Sequence, residues 1–297
     1  MASSGKRTEI EALTRRVRAI ERGGARVEPR PLVTGWALDG VLADGAGGGG
    51  LARGAVHEWL GLDDAAGAAR MRGGLAAWTP PLSLLVELCR RALEEHTARG
   101  QEGWVVWIGS RVWPYPQALT TVRGVRSMAC ERDGRRGGAL EGERFELWLD
   151  QADGERGCAD GERSRRLLER SLFVDPVDLA ARVWAADGAL RCPSVAAVVL
   201  EGKGLRMPAG RRLQLAAEAG GGLAFVARAA DEAGEVSAAT TRWRVRRAAP
   251  GGDGRADGIA GDGTAGEGAR PRWEVELLRA KVGLLGGANG ASTAEAG

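Results

Sequence analysis

The run VAAVVLEG, residues 195–202, is unbroken apolar sequence up to its terminal Glu201, far too short for a membrane span and of the right length for a strand buried on both faces. Such a strand needs cover above and below. The next segment begins to supply it. PAGRRLQLAAEAGGG, 208–222, reads as a helix with a proline start and a glycine stop, and the apolar strand LAFVARA follows. Strand, helix and strand in this order make a crossover unit, and a crossover requires the two strands to be parallel.

The same alternation recurs upstream. GAVHEWL (54–60) and WVVWIG (104–109) read as strands, and Leu75, Leu82, Leu85, Leu88 and Leu93 between them lie at mostly helical spacing. Pro80 and Pro81 suit a first helical turn, so this helix is expected to run from there to about Thr97. LFVDPVDLAARVWAADGAL (172–190) offers a strand ending at Asp175, which is expected to cap a helix carrying Pro176 at its first position and Asp178 near its positive end. The fold class is therefore α/β, a mostly parallel sheet with helices on both faces.

Several segments fall outside that rhythm and set the expected organisation. Ile10, Leu13, Val17 and Ile20 share one stripe of an N-terminal amphipathic helix within residues 1–29, and a core would occupy 30–247. Residues 131–165 are a charged, glycine-rich and flexible insertion with one apolar island, FELWL, able to form a strand. Residues 248–270 contain almost nothing to bury and read as a disordered linker, with a C-terminal strand and tail at 271–297. On either side of the linker, TTRWRVRRA (240–248) and RPRWEVELLRA (270–280) alternate with period two. Arg242, Arg244 and Arg246 share one face of the first, opposite Trp243 and Val245. Glu274 and Glu276 oppose Trp273, Val275 and Leu277 on the second. Two readings stand: antiparallel pairing that buries the tryptophans and matches arginine to glutamate, or a row of Arg242, Arg244, Arg246 and Arg247 that grips DNA phosphates.

Charge excludes a global electrostatic partner. The 42 basic and 39 acidic residues leave +3, so any nucleic-acid contact must be local and weak, and no apolar run approaches a membrane span. Four scattered cysteines and two histidines, without a C-x-x-C pair, argue against a metal site or a disulfide framework and suit a reduced, cytoplasmic chain. The strand end at residue 60 leads into a glycine-rich turn where a nucleotide-binding core would keep its phosphate loop. That loop needs a lysine for the β and γ oxygens and a Ser or Thr for magnesium. Gly61, Gly67 and Gly73 are there, but Asp63 and Asp64 bring negative charge, and no lysine occurs between Lys6 and Lys203. Arg70 or Arg72 would have to substitute, and a forked guanidinium does not replace a compact ammonium. EGKG (201–204) lacks the earlier glycine and the hydroxyl residue. Glu58 and Glu201 stand at strand ends, where such cores place their acids; Glu201 is expected to face solvent or an arginine such as Arg211. His57 and Glu58 point to opposite faces and Ser110 lacks a nucleophile-elbow context, so no catalytic set emerges and no cofactor is expected, neither ATP nor magnesium.

Residues 38–61, LDGVLADGAGGGGLARGAVHEWLG, resemble the segment leading into the phosphate loop of RecA-type recombinases, through Leu38, Asp39, Leu42, Gly49, Gly50, Leu51, Arg53, Gly54, Glu58 and Gly61. LFVDPVDLAARVWAADGALRCPSVAAVVLEG (172–202) and RRLQLAAEAGGGLAFVARAA (211–230) are similar to the central stretch of ImuA proteins, the RecA-like members of bacterial damage-induced mutagenesis cassettes. The resemblance implies a RecA-like core with degraded nucleotide motifs and an accessory role in the SOS response, in translesion DNA synthesis. It implies as partners an ImuB-like polymerase homologue, the recombinase RecA and, indirectly, an error-prone replicative polymerase. The N-terminal helix and the C-terminal stretch LLRAKVGLLGG would be the docking elements. A weak DNA-binding ATPase of RecA type is the alternative.

Overall fold

A computed structural model describes residues 30–43, 49–61, 78–120, 125–129, 142–149, 165–248 and 272–281. The predicted N-terminal helix, Gly67, Arg70, Arg72 and Gly73 of the glycine loop, most of the 131–165 insertion, the linker and the tail after Lys281 lie outside these residues. Nine strands among the described residues form one sheet: β1 (Ala55–Leu60), β2 (Trp104–Ile108), β3 (Val125–Ala129), β4 (Arg144–Leu149), β5 (Ser171–Val174), β6 (Val195–Glu201), β7 (Leu223–Arg228), β8 (Thr241–Arg247) and β9 (Arg272–Ala280). Their spatial order is β3-β4-β9-β8-β1-β7-β6-β2-β5. The six from β8 to β5 are mutually parallel, and β9, β4 and β3 continue from β8 as an antiparallel wing.

Alternation along the parallel strands feeds two cores. Val105, Trp107, Ala197, Val199, Leu223, Phe225 and Trp59 point to one face, where the helix α2 (Leu82–Ala98), which follows the short α1 (Ala37–Val41), packs with Leu84, Leu85, Leu88 and Cys89. Val56, Val106, Val198, Leu200, Ala224 and Val226 point to the other. There they meet Val183, Ala186 and Leu190 of α4 (Leu179–Leu190) and Leu213, Ala216 and Ala217 of α5 (Met207–Gly220); α3 (Pro116–Thr120) follows β2. Each Val or Leu so buried stabilises by about 1.5–3 kcal/mol relative to exposure. The mostly parallel α/β architecture is as the sequence predicts.

Local signals held in most places and failed in one. Pro208 lies in the first turn of α5, and Gly221 ends that helix at φ +73°, where a side chain would be strained. The cap of α4 is Asp178, whose carboxylate accepts from the Ala181 N–H at 2.8 Å, not Asp175. Residues 175–177 are not helical, and the helix begins only after Asp178, whose own extended backbone is that of a capping residue. FELWL forms β4. Strand β3 carried no sequence signal strong enough to be predicted.

The antiparallel wing is welded to the parallel sheet by aromatic rings. Trp243 of β8 stacks on Trp59 of β1 with centroids 5.7 Å apart and takes the edge of Phe145 of β4 at 5.8 Å. Such ring pairs each add about 0.5–1.5 kcal/mol beyond burial. Beside them His57 is sealed in the core. Its Nε2–H donates to the Ala52 carbonyl at 2.9 Å, which fixes the tautomer and leaves Nδ1 to accept from the Thr241 hydroxyl at 2.8 Å. The same hydroxyl oxygen accepts from Trp243 Nε1 at 2.7 Å.

Burial pushes the His57 pKa down to about 4. An unfolded chain takes up this proton near pH 6.5, whereas the folded one refuses it until about pH 4, so the stabilisation is full above pH 6.5 and is lost as pH falls through that window. Urea denaturation at pH 7 and pH 5 should show wild type losing roughly 2 kcal/mol more than His57→Gln, by that linkage. Equal losses in the two proteins would remove this account of His57.

Candidate functional site

Ligands of open α/β sheets bind outside the carboxyl ends of the parallel strands. In this chain that edge carries two carboxylates, each engaged by arginine. Glu58, two positions inside the buried end of β1, is 1% exposed. Its Oε1 lies 3.2 Å from Arg228 Nη1 and accepts from Ser237 Oγ at 2.6 Å; its Oε2 lies 2.7 Å from Arg242 Nε. Arg228 ends β7, next to β1, and Arg242 opens β8 on the other side, so the cluster joins three adjacent strands.

The segment that crosses from β7 to β8 is part of the same cluster. Arg228 Nε reaches Glu232 at 3.0 Å and its Nη2 reaches Glu235 at 2.5 Å. Arg242 donates to the carbonyls of Ala233 and Glu235 through Nη1 and to that of Glu232 through Nη2. The second oxygen of Glu232 accepts from the Gly204 N–H, behind β6. Burial works against the charged form of Arg228, yet Glu58 and Glu232 outweigh it and hold the guanidinium pKa above its ordinary value. Above the cluster the Arg228 carbonyl accepts from the N–H of Gly61, the last described residue before the glycine loop.

Glu201, at the end of β6, has a cluster of its own. It is 5% exposed rather than facing solvent, and its partners are Arg182 of α4 at 3.1 Å and Arg111 at 3.7 Å, in place of the expected Arg211. Arg211 lies on the outer face of α5, whereas Arg182 is carried on the helix that packs directly over β6. The Arg111 backbone N–H also donates to Glu201 Oε2 at 3.3 Å. Gly109 makes this possible, because at φ +94° a Cβ would stand 2.7 Å from that carboxylate.

The arginine row divides. Arg242 is consumed inside the Glu58 cluster. Arg244 faces Glu276 across the β8–β9 ladder with a 3.4 Å contact, Arg246 is registered with Glu274, and Arg247 is exposed. Arg144 of β4 bridges Glu274 and Glu276 at 3.7 and 3.6 Å. His57 and Glu58 point to opposite faces. Among the described residues no three His, Cys, Asp or Glu side chains are grouped to hold a metal ion, and no helix is long and apolar enough to cross a membrane.

Sequence reasoning placed both carboxylates at strand ends and missed Arg228, Arg182 and Arg111. A signal for Arg228 was available: it closes an otherwise apolar strand and precedes Glu232 by four residues. Arg182 and Arg111 lie too far from Glu201 in the chain to be paired with it by spacing.

No protein-family model matches the chain, and no curated protein sequence matches it. Among solved structures it is similar to one titled as the crystal structure of the RadB recombinase, at 14% identity and a TM-score of 0.41, over 73% of this chain and 84% of that one.

The two arginine environments predict unequal costs. Glu58→Ala leaves two buried guanidinium groups without their shared carboxylate and should destabilise by about 3–5 kcal/mol, while Arg244→Ala removes a partly solvated pair and should cost under about 1 kcal/mol. Denaturant midpoints of the two variants test the contrast, and a Glu58→Ala protein as stable as Arg244→Ala would contradict the cluster's structural weight.

Proposed function

We propose that this chain is a non-catalytic RecA-like accessory factor in damage-induced translesion DNA synthesis, an adaptor for an ImuB-like polymerase homologue and for the recombinase RecA. An error-prone replicative polymerase would join the same assembly indirectly. Supporting the reading are the ImuA-like stretches 172–202 and 211–230, together with the state of the strand-end acids.

One observation carries it: Glu201, at the position where a nucleotide-binding core keeps a magnesium-coordinating acid, is neutralised by Arg182 and Arg111. A divalent cation would have to displace two guanidinium groups from that carboxylate. With Asp63 and Asp64 in the glycine loop and no lysine there, charge around a triphosphate would be unfavourable. A protein of this kind works by presenting surface.

Isothermal titration with ATP and magnesium should give no saturable heat, meaning a Kd weaker than about 1 mM. Saturable, magnesium-dependent ATP binding would favour the alternative, a weak DNA-binding ATPase of RecA type using Arg70 or Arg72. Co-expression with the polymerase homologue should give a complex that survives size-exclusion chromatography, and its absence would end the adaptor reading.

A further inference from the structure

The β8–β9 ladder matches charge until its last step. Arg246 is opposite Glu274 and Arg244 opposite Glu276, but beyond the register shift Arg279 is opposite Arg242. Like charges across a ladder repel, and Arg242 already owns the buried Glu58, so Arg279 meets no carboxylate among the described residues. It donates instead to the Ser237 carbonyl at 3.1 Å. Two residues on, the Lys281 ammonium likewise donates to a backbone oxygen, that of Ala238. A carbonyl satisfies a donor and leaves its positive charge uncompensated.

A third cation completes the cluster. A Cβ on Gly210 of α5 would meet the Ala238 Cβ at 3.7 Å, so the next residue, Arg211, is carried beside the loop that Lys281 holds, and burial together with the charges of Arg279 and Arg211 lowers the Lys281 pKa. Arg211 is exposed on the outer face of α5 and makes no ion pair among the described residues. The carboxylates that act on Lys281 are Glu218, one turn beyond Leu215, and Glu58, which is buried and already paired with Arg228 and Arg242.

Apolar groups stand among these charges. Leu215, one turn from Arg211 and 45% exposed, lies on the same outer stripe of α5, and Val236, 71% exposed, adjoins the Ser237 carbonyl that holds Arg279. We propose that Arg211, Arg279 and Lys281, with Leu215 and Val236, form a docking surface for an acidic segment of a partner protein that interleaves carboxylates with apolar side chains. The mixture selects this partner over nucleic acid. A phosphate backbone has no use for exposed leucine and valine and is held best by a longer row of cations with free donors. Here two of the three cations already spend a donor on the loop beneath them.

The inference rests on the adaptor reading for the existence of a protein partner and on these residues for its place. Two labelled probes, a short peptide alternating Glu with Leu and a single-stranded oligonucleotide, should be titrated by fluorescence anisotropy against the full chain at low ionic strength. The peptide should bind the wild type and lose about tenfold in affinity for Arg211→Glu and severalfold for Leu215→Gln, both exposed positions whose variants keep the fold. Equal peptide affinity for wild type and Arg211→Glu overturns the surface, as does Arg211-dependent binding of the oligonucleotide without the peptide, which would make the site a nucleic-acid contact. A complex with the polymerase homologue that forms equally well with Arg211→Glu overturns this surface alone and leaves the adaptor reading standing.

Discussion

The carboxylate of Glu58, shared by two arginines from different strands, is the constraint around which the rest of the sheet is organised. The chain leaves the carboxyl end of β7, crosses over β1 to reach the level of Val56, and enters β8 on the far side, parallel to both. Nothing apolar in residues 230–237 is large enough to hold that crossing. It is held by charge: Arg228 and Arg242 grip Glu58 below and the side chains and carbonyls of residues 232–235 above. Burying these groups costs several kcal/mol of desolvation per ion, so the cluster adds little net stability over an apolar substitute. It specifies which way the chain turns, and once β8 is placed, β9 and β4 have an edge to join.

Much of this was readable in the residues. VAAVVLEG, LAFVARA, GAVHEWL and WVVWIG gave four parallel strands because a run apolar on both faces has no other soluble home. TTRWRVRRA and RPRWEVELLRA gave an antiparallel pair with the register of arginine to glutamate, because period-two alternation states which side chains share a face. The cap of α4 went wrong by three residues, since Asp175 and Asp178 are both good capping types and only the proline between them separates the cases. The environments of Glu58 and Glu201 were not readable. Their partners come from elements tens of residues away, and local spacing says nothing about which arginine a fold will carry to a given carboxylate.

Arginine is abundant in this chain, and the structure divides it into kinds. Arg228 and Arg242 are internal fasteners, almost without exposure. Arg244 and Arg144 are rungs in a surface ladder, each matched by glutamate. Arg279 and Arg211 make no ion pair among the described residues. A composition so rich in one residue type hides this division, and only burial and pairing reveal which guanidinium groups retain a charge that another molecule could feel.

Strand β8 is the hinge between two styles of sheet, parallel toward β1 and antiparallel toward β9. That position has a bearing on how the molecule is made. On the ribosome β4 and β8 both emerge before β9, which follows only after the glycine-rich stretch, and until it arrives both present bare edges. A polypeptide halted anywhere in that glycine-rich stretch would carry two unfinished borders, exposed to mispairing with other chains.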